Sequence, residues 1–250
     1  MMLAVLLAAT ALDAGVAVRA THAVVPALST PGIVILDVSD KDKPAVSARV
    51  AAPDLGGLTV APVSGVVFAE GPAQIFARMA AGFWTVELNG DAPRVLPFVP
   101  VSGIERLRWD GTRLVALRSS SGGLAFTVTA GARPAASEVK LSAAEIARAR
   151  ATPTATPQGA KPEPGPVKCL EDFADSARKI IAKYRKGTID NLRCEEFVAE
   201  TAAGPLARWK LVTYTRKAKG SKDARPERVL YDVVPEREKR GFLVIDAVAP

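Results

Sequence analysis

Three times in the first half of the chain, a glycine opens an apolar strand-like run and a proline closes the turn behind it. Gly32-Ile33-Val34-Ile35-Leu36-Asp37-Val38 leads through Ser39–Lys43 to Pro44, and Ala45–Val50 follows. Gly82-Phe83-Trp84-Thr85-Val86-Glu87-Leu88 leads through Asn89–Ala92 to Pro93, and Arg94–Val99 follows. A weaker copy runs from Gly123-Leu124-Ala125-Phe126-Thr127-Val128 to Pro134. The glycines lie 50 and then 41 residues apart. Apolar, β-branched runs of this length between polar turns read as strands. Proline sets φ where the chain leaves the turn. Strand–turn–strand units with a period in the forties are the signature of stacked sheets that cannot bury both faces alone.

The segments between these runs also correspond. One register sets Gly57–Val60 and Val66–Phe68 against Gly103–Leu107 and Leu114–Leu117, with the turns Ser64-Gly65 and Asp110-Gly111-Thr112 in matching places. A competing register sets Pro62-Val63-Ser64-Gly65 against Pro100-Val101-Ser102-Gly103. The first matches more strands and turns and is preferred.

Gly32 to Asp40, followed by Lys43-Pro44, resembles the LVIVD repeat of bacterial and archaeal surface proteins. Upstream, Val16–Arg19 and Thr21–Val25 resemble the strand pair that precedes that motif. The likeness covers about residues 15–134 and fades after the first copy, where Asp37 gives way to Glu87. It implies a β-propeller fold and an extracytoplasmic setting, and it carries no catalytic residues. About three units fall short of the roughly four to eight blades of closed propellers. The module is therefore expected to be a partial propeller, a sandwich-like stack, or half of a ring that an oligomer completes.

The expected organisation is a signal peptide at 1–14, a β-repeat module at 15–141, a short helix at 142–150, a Pro/Ala/Thr-rich linker at 151–167 and a small α+β domain at 168–250. The overall class is mostly β plus α+β. Leu3–Leu12 has the apolar character of a signal-peptide core, and Ala9-Thr10-Ala11 fits the small-x-small cleavage rule. No basic residue precedes that run, and the alternative is a core element. No segment has the 20 or so apolar residues a membrane span needs, so no transmembrane span is expected. Ser142 and Glu145 have capping-box spacing.

In the last third, Leu170–Lys186 places Leu170, Phe173, Ala177, Ile181 and Tyr184 at helical spacing. Acidic residues sit at its start and basic ones at its end, as the helix dipole favours. Cys194 to Ala203 is expected to add a short second helix. Leu206–Arg216, Arg228–Val234 and Phe242–Val248 read as an antiparallel meander, with a general likeness in shape to cystatin- or NTF2-like folds. Residues 167–250 hold 18 Lys and Arg against 13 Asp and Glu, so most of the net charge of +7 sits here. The two cysteines, Cys169 and Cys194, are too few for a zinc site. In an exported protein they pair, closing a loop worth about 3 kcal/mol in the chain-entropy model; in the cytoplasm they remain thiols.

No combination of residues supports a reaction. His22 is the sole histidine, and phosphate loops, zincin helices and EF-hand loops are absent from the sequence. Asp37, Asp40 and Asp42 are interleaved with Lys41 and Lys43, which suits a turn better than a metal site. No cofactor or catalytic residue is expected. The basic loop containing Arg216, Lys217, Lys219 and Lys222 is a candidate anion-binding surface, with Trp209, Tyr214 and Tyr231 nearby in sequence. These features suggest a non-catalytic extracytoplasmic binding or scaffold protein with a protein, glycan or cell-envelope ligand in preference to nucleic acid. The alternatives are an enzyme or enzyme accessory with its site in the repeat module or in a C-terminal cavity, against which inert substitutions of Asp37, Glu87 and Asp110 would count, and a cytoplasmic subunit of a larger complex.

Overall fold

Apolar runs bounded by Gly, Asp, Ser and Pro can satisfy their backbone polar groups by pairing with their chain neighbours, and the dominant structure is a series of such meanders. The computed structural model describes residues 16–19, 21–28, 31–40, 43–55, 63–69, 73–88, 92–118, 122–137, 141–150, 167–168, 177–179, 181–183, 185–200, 206–232 and 242–247. The expected signal peptide, nearly all of the expected linker, and Cys169 lie outside the described residues. The fold is mostly β with a little helix, as expected.

Three antiparallel sheets follow one another along the chain, two of four strands and one of five. The first comprises β1 (Ala17–Arg19), β2 (His22–Pro26), β3 (Gly32–Asp37) and β4 (Ala45–Ala51). The second comprises β5 (Gly65–Ala69), β6 (Gln74–Met79), β7 (Gly82–Glu87) and β8 (Arg94–Val95); β9 (Val99–Pro100) also pairs with β7. The third comprises β10 (Ile104–Trp109), β11 (Arg113–Arg118), β12 (Gly123–Thr127) and β13 (Ala135–Ser137). Gly32, Gly82 and Gly123 each open the third strand of a sheet. At Gly82 the reason is local. Its φ is +154°, and a Cβ would collide with the carbonyl oxygen of Val99, where β9 crosses the start of β7.

The preferred register between the copies is corrected by the sheets. Val66–Phe68 lies in the first strand of its sheet, β5, whereas Leu114–Leu117 lies in the second, β11. The equivalent strands are β5 with β10 and β6 with β11. Val63-Ser64-Gly65 therefore occupies the place of Val101-Ser102-Gly103, as in the competing register. Both runs are short and apolar, and hydrophobicity marks a strand without marking its rank in a sheet.

By its contacts the chain divides into two compact units, Val18–Ala51 with Gly165–Pro250 and Met1–Ala17 with Ala52–Pro164.

In the unit containing the second and third sheets, the core lies between those sheets. Val67, Phe76 and Phe83 of the second pack with Leu107, Trp109, Leu114 and Phe126 of the third. Phe76 stacks on Trp109 at 6.3 Å and meets Phe83 edge-on at 6.1 Å; Phe83 meets Phe126 edge-on at 5.0 Å. The third sheet alternates, so Val115, Leu117 and Ala125 face the other way. There they pack with Leu141 and with Ile146 of α1 (Ala143–Arg150). The backbone N–H of Ser142 donates to Glu145 Oε2 at 2.8 Å, and the N–H of Glu145 donates to Ser142 Oγ at 3.3 Å. This reciprocal capping box starts the helix, and Arg113 of β11 lies 3.5 Å from Glu145.

In the other unit, β14 (Val167–Lys168) is followed by a helix, α2, whose described residues lie between 177 and 185. Then come β15 (Thr188–Glu200), β16 (Leu206–Lys217), β17 (Ala224–Asp232) and β18 (Phe242–Ala247), in the order β14-β15-β16-β17-β18. The helix expected from Cys194 is corrected: Cys194–Glu200 is the second half of β15. Ala177 and Ile181 of α2 pack on Ile189, Val212, Tyr214 and Val229. Phe197, Trp209, Leu211 and Arg228 are also buried, and on alternation they point to the opposite face. There Arg228 donates a hydrogen bond to the carbonyl of Pro26 in β2.

Candidate functional site

The hairpin between β16 and β17 brings a network of one carboxylate, two guanidinium groups and a tyrosine hydroxyl to one end of the C-terminal sheet. Tyr214 and Glu227 are directly opposite each other, and Arg216 is opposite Arg225. Side chains two apart on a strand share a face, so Tyr214, Arg216 and Glu227 all point toward α2. Glu227 is 3% exposed. It accepts from Arg185 of α2 on both oxygens, at 3.1 and 3.2 Å, from Arg216 Nε at 2.8 Å and from the Tyr214 hydroxyl at 3.0 Å. Arg216 also donates to the carbonyl of Lys186, near the end of α2, at 3.4 Å.

Burial alone would raise the Glu227 pKa, but the hydrogen bonds from Arg185, Arg216 and Tyr214 outweigh it and hold the carboxyl below its ordinary range. The Tyr214 hydroxyl shifts up, first by burial and then by the charge of Glu227, and so remains a donor. The Arg185 pKa is raised, chiefly by its hydrogen bond to Glu227. A buried carboxylate with this many charge-assisted donors is a structural hub. It ties the end of α2 to the hairpin.

This arrangement sorts the basic loop. Arg216 turns inward and belongs to the hub. Lys217, Lys219 and Lys222 are exposed, as is Lys186. Gly187 backs onto β16 so closely that a Cβ there would lie 2.5 Å from the Lys217 carbonyl oxygen, which sets Lys186 beside the hairpin base. The loop closes through Ser221 N–H to the Ala218 carbonyl at 3.0 Å, with Gly220 at φ +85°. Trp209 and Tyr214 are at most 1% exposed. They serve the core, where the sequence had offered them to a ligand. Lys186, Arg185 and Glu227 were missed as members of this region. The signal for Arg185 and Lys186 was the run of basic residues at the end of the helix, and nothing in the sequence marked Glu227.

The carboxylates considered for catalysis hold structure. Asp37 accepts from Ser39 N–H at 2.9 Å. Burial would raise its pKa, but the bonds from Ser39 and the nearby His22 lower it overall. Asp110 accepts from the N–H groups of Thr112 and Arg113 at 2.9 and 2.7 Å and pairs with the Arg113 side chain at 3.1 Å. Against the opposing effect of burial, these bonds lower its pKa. Glu87 is buried; it accepts from Gln74 at 2.8 Å and from Gly131 N–H, and lies 3.7 Å from Arg94. The three stand at strand ends of three different sheets. His22 opposite Asp37 and Gln74 opposite Glu87 are the same position in successive sheets. Among the described residues no group of three or more His, Cys, Asp or Glu is placed to hold a metal. No described helix is long and apolar enough to cross a membrane.

Cys194 is disulfide-bonded. The chain's other cysteine, Cys169, lies outside the described residues.

No protein-family model, no curated protein and no solved structure matches the chain.

Proposed function

We propose that the chain is a non-catalytic extracytoplasmic binding or scaffold protein, with a propeller-like repeat module and a basic accessory domain that carries the ligand-binding charge. The observation that carries this reading is the cationic end of the C-terminal sheet. Glu227 fixes it from within, and its lysines face solvent. Three consecutive antiparallel sheets, each with a glycine-led third strand, support the likeness to LVIVD-repeat surface proteins. The disulfide at Cys194 supports an oxidising compartment, because reducing cytosol keeps thiols free. With Cys169 as its partner, the bond ties the segment ahead of α2 to the middle of β15.

Fractionation of the native cell followed by intact-mass measurement tests the proposal. A chain found outside the cytoplasm and lighter by two hydrogens supports it. A reduced chain in the cytoplasm overturns it in favour of an intracellular binding subunit.

A further inference from the structure

We infer that the β16–β17 hairpin and the end of α2 form a peripheral docking surface for an anionic lipid bilayer. The inference rests on the proposed binding function and names its ligand. The surface comprises Lys186, Lys217, Lys219, Lys222 and Arg225, with Asp223 as the one acidic residue in the loop. Arg185 and Arg216 lie just behind it and share the single charge of Glu227, so they add to the positive field instead of cancelling it.

Shape chooses the ligand. β15 begins at Thr188, opposite Lys217, and β17 begins at Ala224, also opposite Lys217. The loop from 218 to 223 therefore runs beyond the paired ends of both neighbours. A Cβ built on Gly220 would meet nothing within 4 Å. The result is a projecting tip with Lys219 and Lys222 exposed on it, a shape that suits a flat surface. A single-stranded nucleic acid is held instead by a groove with exposed stacking aromatics, and here Trp209 and Tyr214 are buried. The tip sequence Ala-Lys-Gly-Ser-Lys-Asp has no bulky apolar residue to insert among acyl chains. Binding is therefore electrostatic, confined to the headgroup plane and reversed by salt.

The test uses the full, disulfide-intact chain in cosedimentation with vesicles of phosphatidylcholine, alone or with phosphatidylglycerol. Binding is expected only with phosphatidylglycerol and is lost in high salt. Lys219→Glu with Lys222→Glu is expected to weaken it at least about tenfold. Lys43→Glu with Arg133→Glu, which changes net charge equally at sites remote in sequence, is expected to leave it within about twofold. Equal loss in both variants would mean that net charge alone drives binding, and would overturn the site. Tighter lysine-dependent binding to soluble polyphosphate than to vesicles would overturn the bilayer as ligand. Neither outcome depends on where the native protein is found, so failure here is distinct from failure of the proposed compartment.

Discussion

The Tyr214 hydroxyl donates to Glu227 at 3.0 Å across directly paired positions of β16 and β17. Two arginines, Arg216 two residues further along β16 and Arg185 of α2, meet the same carboxylate. Removing the carboxylate leaves both arginines short of their partner, so Glu227→Ala is expected to cost about 3 kcal/mol. Tyr214→Phe removes one donor of several and is expected to cost about 1 kcal/mol. Denaturant midpoints of the two variants check the ranking.

The hub also sets a pH dependence. The Glu227 pKa is lowered in the folded state. The unfolded chain therefore takes up the proton first as pH falls, and the stabilisation is whole above the ordinary carboxylate range. It is lost as pH drops through and below that range. Glu195 runs the other way. Burial raises its pKa against the pull of Arg228, and its Oε2 has no hydrogen-bond partner. Folding favours its protonated form, so its cost grows as pH rises past the ordinary range. Glu195→Gln is expected to raise the melting temperature at neutral pH and to change it little in acid. Melting curves at the two pH values decide it.

Gly82→Ala is expected to destabilise by more than about 1 kcal/mol, because its φ is positive and Val99 blocks a side chain. Gly122→Ala faces open space and is expected to be neutral. Equal effects would refute the steric account.

Leu141→Ala is expected to cost about 2 kcal/mol by leaving a cavity between α1 and the third sheet. Glu145→Ala, which breaks the capping box, is expected to destabilise less than Leu141→Ala. Hydrogen exchange at Val115 and Leu117 should rise in both variants.

The strand-initial glycines and the prolines behind them were legible because a collision and a fixed φ leave only one residue type comfortable. The meander of β16 to β18 was legible from its polar loops. The rank of Val66–Phe68 was not, since β5, β6, β7 and β11 are all short and largely buried, and burial does not mark order. Cys194 to Glu200 was misread because both faces of β15 carry buried residues, among them Ile189 and Phe197, and a bulge between Asp190 and Arg193 breaks the alternation. The hub was invisible in sequence: Arg185 and Glu227 are 42 residues apart, and only the topology brings them together. The basic loop was found, but which of its charges faces inward was decided by strand alternation that the loop itself does not display.

α1 sits on the outer face of the third sheet, where Ile146 and Leu141 cover Val115, Leu117 and Ala125. The packing of the second and third sheets therefore has a direction. A tandem duplication that placed another four-stranded copy after β13 would have to evict the helix before it could find a partner face, and a second molecule approaching that face would meet the same obstacle. The helix acts as an end-stop: it limits how many sheets the array can hold on that side, in the way a capped filament stops growing at one end.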